Sequence, residues 1–407
     1  MDLTTLLAAT FILFSALGLD SVMHPRDIVL EADRAVNLGQ VYVTDTMLNA
    51  VMKAQTEEIF LTPSVVSKPV IRMSNQKGIG LSIIDALSLS KVADSLQEQL
   101  GYRPDRVALH LFSEGSTVKV LVTGYETRRW GTFEQEVVQV KDERVVSLVK
   151  RATVVAMATI DPYMTALNLM RRHIKDKDFK GSEDVIAFAK GRLGIARINA
   201  ERSMLENLEG MIALFRRDTS RANERFQSAM ESDPGNHVAI LNLALTKLEM
   251  DKDAEVEILV SKLLKENPPA DPVILATAHL TLSAAYLGLR QPGPADMAIA
   301  KAAELNPTNP TVLASWAEVK QQIGDKAAAA RLMERAGAVE NQYEDYAEVA
   351  ALYFSLSWEK GEPVLRSPFD PVATAPDTAE KTAPTAPETA TKTEPAKDAP
   401  PVGTPAR

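Results

Sequence analysis

The chain contains no cysteine, which excludes disulfides and thiolate metal sites without choosing a compartment, since many periplasmic and cytosolic proteins also lack it. Histidine is scarce as well. His24, His110, His173, His237 and His279 are the five, and no two are spaced to ligate a metal from one helix face, so no metal site is expected. A basic excess is missing too: the net charge of −9 argues against a nucleic-acid partner. The one glycine-rich stretch, Gly78-Ile79-Gly80-Leu81-Ser82, lacks the lysine of a phosphate loop and the third glycine of a dinucleotide fingerprint. Its serine stands at the end of the motif and not between the glycines, so it is no nucleophile elbow either. It reads as a turn before a helix. No enzyme, catalytic residue or cofactor is expected from this inventory.

What is present begins with an uncharged run over positions 3–19, bounded by Asp2 and Asp20. As a helix it reaches roughly 26 Å, just short of a hydrocarbon core of about 30 Å. A cleaved signal peptide is disfavoured, because there is no basic n-region and no clear small-x-small site before Asp20. The segment 1–22 therefore reads as an uncleaved membrane anchor, with a buried N-terminal helix as the alternative. Arg26 and Arg34 follow the run and no basic residue precedes it, which by the positive-inside rule places the soluble part in the cytoplasm.

Between 203 and 343 one helix pair is written four times. In blocks of 34 residues Gly210, Ala222 and Ala229 precede Pro234; Ala244, Val256 and Leu263 precede Pro268; Ser283, Ala295 and Ala302 precede Pro307; and Ala317, Ala329 and Ala336 precede Asn341. Small residues let two helices approach closely, and the prolines stop the second helix of each pair. Phe226, Val260, Ile299 and Met333 hold the equivalent bulky site on that helix. The second block is the weakest match, lengthened by five residues around Pro269, Asp271 and Pro272. The pattern resembles the tetratricopeptide (TPR) repeat, a helix-turn-helix unit that cannot bury its apolar face alone and therefore stacks. The resemblance implies an all-α solenoid that binds a protein or peptide partner along a concave groove.

Ahead of the repeats, from 23 to 165, the periodicity differs. Ile28 and Val29 start a strand, Thr44 or Asp45 caps a helix carrying Met47, Leu48, Val51 and Met52, and 69–73 reads as a second strand. A second helix runs to Leu100 with Gly101 as its stop. Val107, Leu109 and Leu111, then Val118, Val120 and Val122, alternate around a turn at 113–116, which is a hairpin. A third strand spans 132–140, and an apolar helix from Glu143 leads into the repeats. The order suggests a small α+β domain or mixed layer with helices on one face of a mainly antiparallel sheet. His110 is read as solvent-facing or at an edge, and His279 as a packing residue in a repeat helix.

The junction Asp161-Pro162-Tyr163, with Ala166 and Leu167, resembles that of membrane-anchored bacterial TPR proteins in which a transmembrane helix, an α/β domain and repeats follow in order. The resemblance implies a single-pass protein of the bacterial inner membrane. In anchored repeat proteins the soluble part often faces away from the cytoplasm, so an extracytoplasmic location is favoured over the one the basic residues indicate.

The chain is thus multidomain: anchor 1–22, α/β domain 23–165, repeats with a capping helix over 166–362, and a disordered Pro/Ala/Thr-rich tail over 363–407. The capping helix is placed at 343–360, on Val349, Leu352, Tyr353 and Leu356. In the TPR register Asn207, Met211, Phe215, Leu241, Asn242, Leu245 and Thr277 line the groove, apolar at first and more polar at Thr311 and Gln321. Met211, Phe215 and Leu245 could instead contact the helices between 162 and 202. A lysine-and-asparagine carboxylate clamp is disfavoured, because Asn242 alone matches it. Charge is uneven: 171–225 holds 13 basic against 9 acidic residues, and 226–366 holds 12 against 20. Arg171, Arg172, Lys175, Lys177 and Lys180 are either a surface for an anionic partner or lipid headgroups, or ordinary solvated charge. The function these features support is a membrane-tethered interaction scaffold for an envelope complex. The alternative is a sensory module whose α/β domain binds a small ligand and signals through the repeats.

Overall fold

The computed structural model describes residues 27–34, 44–65, 72–73, 106–126, 131–192, 199–339, 346–353, 355–359 and 362–366. All of them fall in one unit, Met1–Phe369. The expected anchor at 3–19, the glycine stretch at 78–82, the second helix ending at Leu100 and the tail beyond 366 lie outside the described residues. Among the described residues no helix is long and apolar enough to cross a membrane.

The N-terminal part is a five-stranded sheet in the order β2-β1-β3-β4-β5, built from β1 (Asp27–Arg34), β2 (Arg72–Met73), β3 (Arg106–Glu114), β4 (Thr117–Glu126) and β5 (Gly131–Val138). Its longer pairings, β3 with β4 and β4 with β5, are antiparallel as expected, while β1 runs parallel to both β2 and β3. The hairpin alternation was decisive for β3 and β4. Leu109 stands opposite Val122 and Leu111 opposite Val120, and all four are buried. Gly115 turns the hairpin at φ 61°, the left-handed conformation a two-residue loop requires. His110, on the opposite face, contacts Thr123 Oγ1 through Nε2 at 3.2 Å.

Two helices cover the buried face. Helix α1 (Asp45–Phe60) is capped by Thr44, whose hydroxyl accepts from the Met47 amide, and presents Leu48 and Met52; α2 (Val145–Ile160) presents Leu148, Val149, Ala152 and Ala156. The far end of α2 leaves the sheet and places Met157 and Ala158 in the next core. Asp161 then ends α2 and caps α3, its carboxylate accepting from the Met164 amide at 3.0 Å, with Pro162 at the first helical position. The chain therefore passes from the α/β domain to the helical repeats at a single residue.

The repeats number five helix pairs among the described residues, one more than the register indicated. They are α3 (Pro162–Arg172) with α4 (Lys180–Arg192), α5 (Asn199–Phe215) with α6 (Thr219–Ser232), α7 (His237–Leu248) with α8 (Asp253–Glu266), α9 (Pro272–Gly288) with α10 (Pro292–Leu305), and α11 (Pro310–Ile323) with α12 (Lys326–Gly337). The extra pair is 162–192, where the 34-residue register does not start. Side-chain caps mark the helix starts: Asp218, Asn236, Asp271, Asn309 and Asp325 each accept from backbone amides of the first turn. Hydroxyls stitch helices within pairs, Ser182 Oγ donating to the Ala166 carbonyl at 2.9 Å, Ser203 Oγ to Ala229 at 2.6 Å and Ser283 Oγ to Ala295 at 2.9 Å. Gly210 is small for a sharper reason than a general need for close approach. The Phe226 ring lies against it, and a Cβ built on Gly210 would stand 2.4 Å from Phe226 Cε1.

The chain after α12 does not form the expected capping helix. Residues 346–349 are irregular, Ala350–Tyr353 is one turn of 3₁₀ helix, and β6 (Ser355–Glu359) pairs with β7 (Glu362–Arg366) in a hairpin beside α11. The spacing of Val349 and Leu352 mimicked a helix face, but these side chains are buried by contacts from distant repeats. Regular structure also continues to Arg366, past the boundary at 362.

Candidate functional site: the concave face of the repeats

The face expected to be open groove carries a segment of the same chain. Residues 347–352 are almost wholly buried, and they distribute along the stack: Ala347 and Ala350 join the core of the first two pairs, Val349 and Leu352 that of the third and fourth, and Ala351 that of the fourth and fifth. The segment's internal structure is short-range: Val349 N donates to Tyr346 O and Leu352 N to Val349 O, and Ala350–Tyr353 is a 3₁₀ turn.

Two asparagines on successive first helices grip its main chain. Asn207 Nδ2 donates to the Glu348 carbonyl at 3.2 Å, and Asn242 Nδ2 donates to the same carbonyl at 2.8 Å and to Asn207 Oδ1 at 2.8 Å. Asn242 Oδ1 accepts from the Ala350 amide at 3.0 Å. A carboxamide offers donor and acceptor together, so Asn242 reads one carbonyl and one amide two residues apart whatever the side chains are. Both asparagines are buried, at 2% and 0% exposure, where an unmade bond would cost most.

The Glu348 side chain is read by the α/β domain. Its Oε1 accepts from the Val65 amide at 2.7 Å, and Val65 lies in the loop after α1. That loop is anchored to the first repeat: Asn168 Nδ2 donates to Thr62 Oγ1 at 2.8 Å and to the Glu58 carbonyl at 3.3 Å, and Arg172 pairs with Glu58. Tyr163 completes the surroundings. Burial, and then the negative charge of Glu348, push its phenol well above the ordinary range, while a hydrogen bond with Ser64 opposes the shift.

The residues anticipated for the groove therefore divide. Asn207 and Asn242 face the segment, and Leu245 packs against cores containing Ala347, Ala350 and Ala351. Leu241 is fully buried, in the core that holds Val256, Val260 and Leu263 of the paired helix together with Val349 and Leu352 of the segment. Phe215 faces the first pair, its ring 5.7 Å from that of Phe179, and Met211 shares that core. Thr277 is buried and donates to the Val273 carbonyl at 2.8 Å. Met211, Phe215, Leu241 and Thr277 are thus buried and do not line an open groove. Arg171, Arg172, Lys175, Lys177 and Lys180 are exposed around the turn between α3 and α4, with Arg172 engaged by Glu58. Among the described residues no group of three or more His, Asp or Glu could hold a metal ion.

What sequence reasoning missed is Glu348, Val65 and Tyr163. The signal available was a small-residue stretch, Ala347 and Ala350-Ala351, around one carboxylate directly after the repeats.

No protein-family model and no curated protein matches the chain. Among solved structures it is similar to a MamA RS-1 ArsTM double mutant, at 16% identity over 44% of this chain and 94% of that one, with a TM-score of 0.34. MamA 41-end from Desulfovibrio magneticus RS-1 gives 20% identity over 44% and 94%, with a TM-score of 0.33. A further crystal structure of MamA gives 15% over 41% and 91%, with a TM-score of 0.32. Likenesses this slight decide neither partner nor activity.

Proposed function

We propose that the chain is a membrane-tethered protein-interaction scaffold of the tetratricopeptide type, whose concave face holds a turn-rich polypeptide segment and whose task is assembly of an envelope complex. The observation that carries this reading is the grip of Asn207 and Asn242 on main-chain groups of residues 348 and 350. Side chains that bind backbone accept a segment by its main-chain shape, which is how a repeat surface serves as a docking face. The tether rests on the uncharged run at 3–19, and the extracytoplasmic location on the resemblance at the junction. The α/β domain fits a positioning role better than a sensory one. Apolar residues of α1 and α2 fill the space over the sheet, and its loop reaches the groove through Val65.

The test is purification of the full chain from detergent-solubilised membranes after mild cross-linking. A discrete polypeptide cross-linked to the repeats in constant proportion is expected. Recovery of the chain alone, or with a varying background, would contradict the scaffold reading.

A further inference from the structure

The segment that fills the concave face has the contacts of a bound peptide. Its main chain is held by side chains of the repeats, its acidic side chain by a backbone amide of the α/β loop, and its apolar side chains are mostly alanine. No sheet or long helix ties it down. The helix pairs beneath it have cores of their own, Val256, Val260 and Leu263 packing on Leu241 and Ala244, and Phe226 on Gly210. Its removal would uncover these pairs without separating their helices. Docking also carries an internal cost, because the Glu348 carboxylate is stripped of water at 0% exposure. The three alanines return little area to set against that cost, and the larger apolar area comes from Val349 and Leu352.

From these contacts we propose that residues 346–352 are an internal occupant of a peptide site, and that the external ligand taking their place is a turn-forming segment with one carboxylate and small residues at the places of Ala347, Ala350 and Ala351. The proposal rests on the reading that the concave face is the docking face, and it adds the partner's chemistry and the site's regulation. The carboxylate is required because the Val65 amide, turned into the groove, must find an acceptor when the site is covered. Small neighbours are required because the space at Ala347, Ala350 and Ala351 is closed on the far side by helices α5, α7 and α9. Specificity therefore comes from two domains, main-chain recognition from the repeats and the acidic side chain from the α/β loop. Until a ligand competes, the chain covers its own site.

Hydrogen exchange on the intact wild-type chain tests the first half. The Val349, Ala350 and Leu352 amides, all hydrogen-bonded, are expected to exchange at least tenfold faster than the central amides of α7. Exchange of both in one cooperative unit would make the segment part of the core and overturn the proposal. The second half is tested with Ala350→Pro, which removes the amide that Asn242 accepts. A synthetic peptide of residues 346–353 should bind this variant and not the wild type. Adding Asn242→Ala to the variant, or replacing the peptide's glutamate by alanine, should weaken binding at least tenfold. Failure of the peptide to bind the folded variant, or failure of the variant to fold, overturns the proposal. A dimer of the variant that the peptide does not dissociate would make the occupant a second copy and also overturn it. A partner captured from membranes by a chain whose segment exchanges with α7 would sink this inference and leave the scaffold reading standing. An opening segment with no partner captured would do the reverse.

Discussion

At Gly210 a single methyl group decides whether two helices can meet, since the Phe226 ring occupies the place of the missing Cβ. Gly210→Ala should destabilise by about 1–3 kcal/mol despite alanine's better helix propensity, because overpacking against a buried ring outweighs the backbone gain. Thermal unfolding checks the sign, and an unchanged or raised Tm would show that Phe226 can move aside. Asn242 stands at the other extreme, small in volume but engaged at both ends of its amide. Asn242→Ala leaves the buried Ala350 amide without its acceptor, at a cost of about 1–3 kcal/mol if the segment stays in place. Leu241→Glu belongs to the same scale. With Leu241 closed against Val256 and Val260, it should unfold the repeats as thoroughly as Leu263→Glu, whereas a folded Leu241→Glu chain would mean that the face is open.

At the scale of the element, the repeat helices were legible because their requirements are local. Small residues at Ala244 and Ala317 mark close approach, and Pro234, Pro268 and Pro307 mark where the second helix of a pair stops. The pair α3 and α4 escaped because its close contact uses the Ser182 hydroxyl on the Ala166 carbonyl, outside the alanine register. The segment 346–353 was misread as a helix because Val349 and Leu352 are three apart, as on a helix face. Burial contributed by residues more than a hundred positions away, Asn207 and Asn242 among them, leaves no periodic trace. The α9 and α10 pair offers a pH test. Burial, and then the charge of Lys301, hold the His279 imidazole below its ordinary pKa. The unfolded chain therefore binds more protons there, so this contribution to stability is present above about pH 6.5 and is lost as the pH falls toward the folded value. Comparing Tm between pH 7.5 and 5.5 should show a smaller acid loss for His279→Gln than for wild type. An identical loss would mean that His279 is solvated in the folded chain.

At the scale of the whole molecule, the order of α/β domain and repeats was readable from composition and periodicity, but the link between them was not. That link is made by Asp161, which ends one helix and starts the next, and by the Val65 loop reaching the groove. Both depend on distances across the fold and not on neighbours in the chain. Removing residues 1–19 should release a folded protein into the soluble fraction, with the circular dichroism of the intact chain; an aggregated product would make that run a core element. The measurement that bears most directly on the scaffold reading is photo-cross-linking from position 245, which packs against cores containing the internal segment. The isolated chain should cross-link to its own residues 346–352, and the chain in native membranes to a second polypeptide as well. Internal cross-links alone in both settings, with any partner attached only elsewhere, would contradict a concave face that receives a partner.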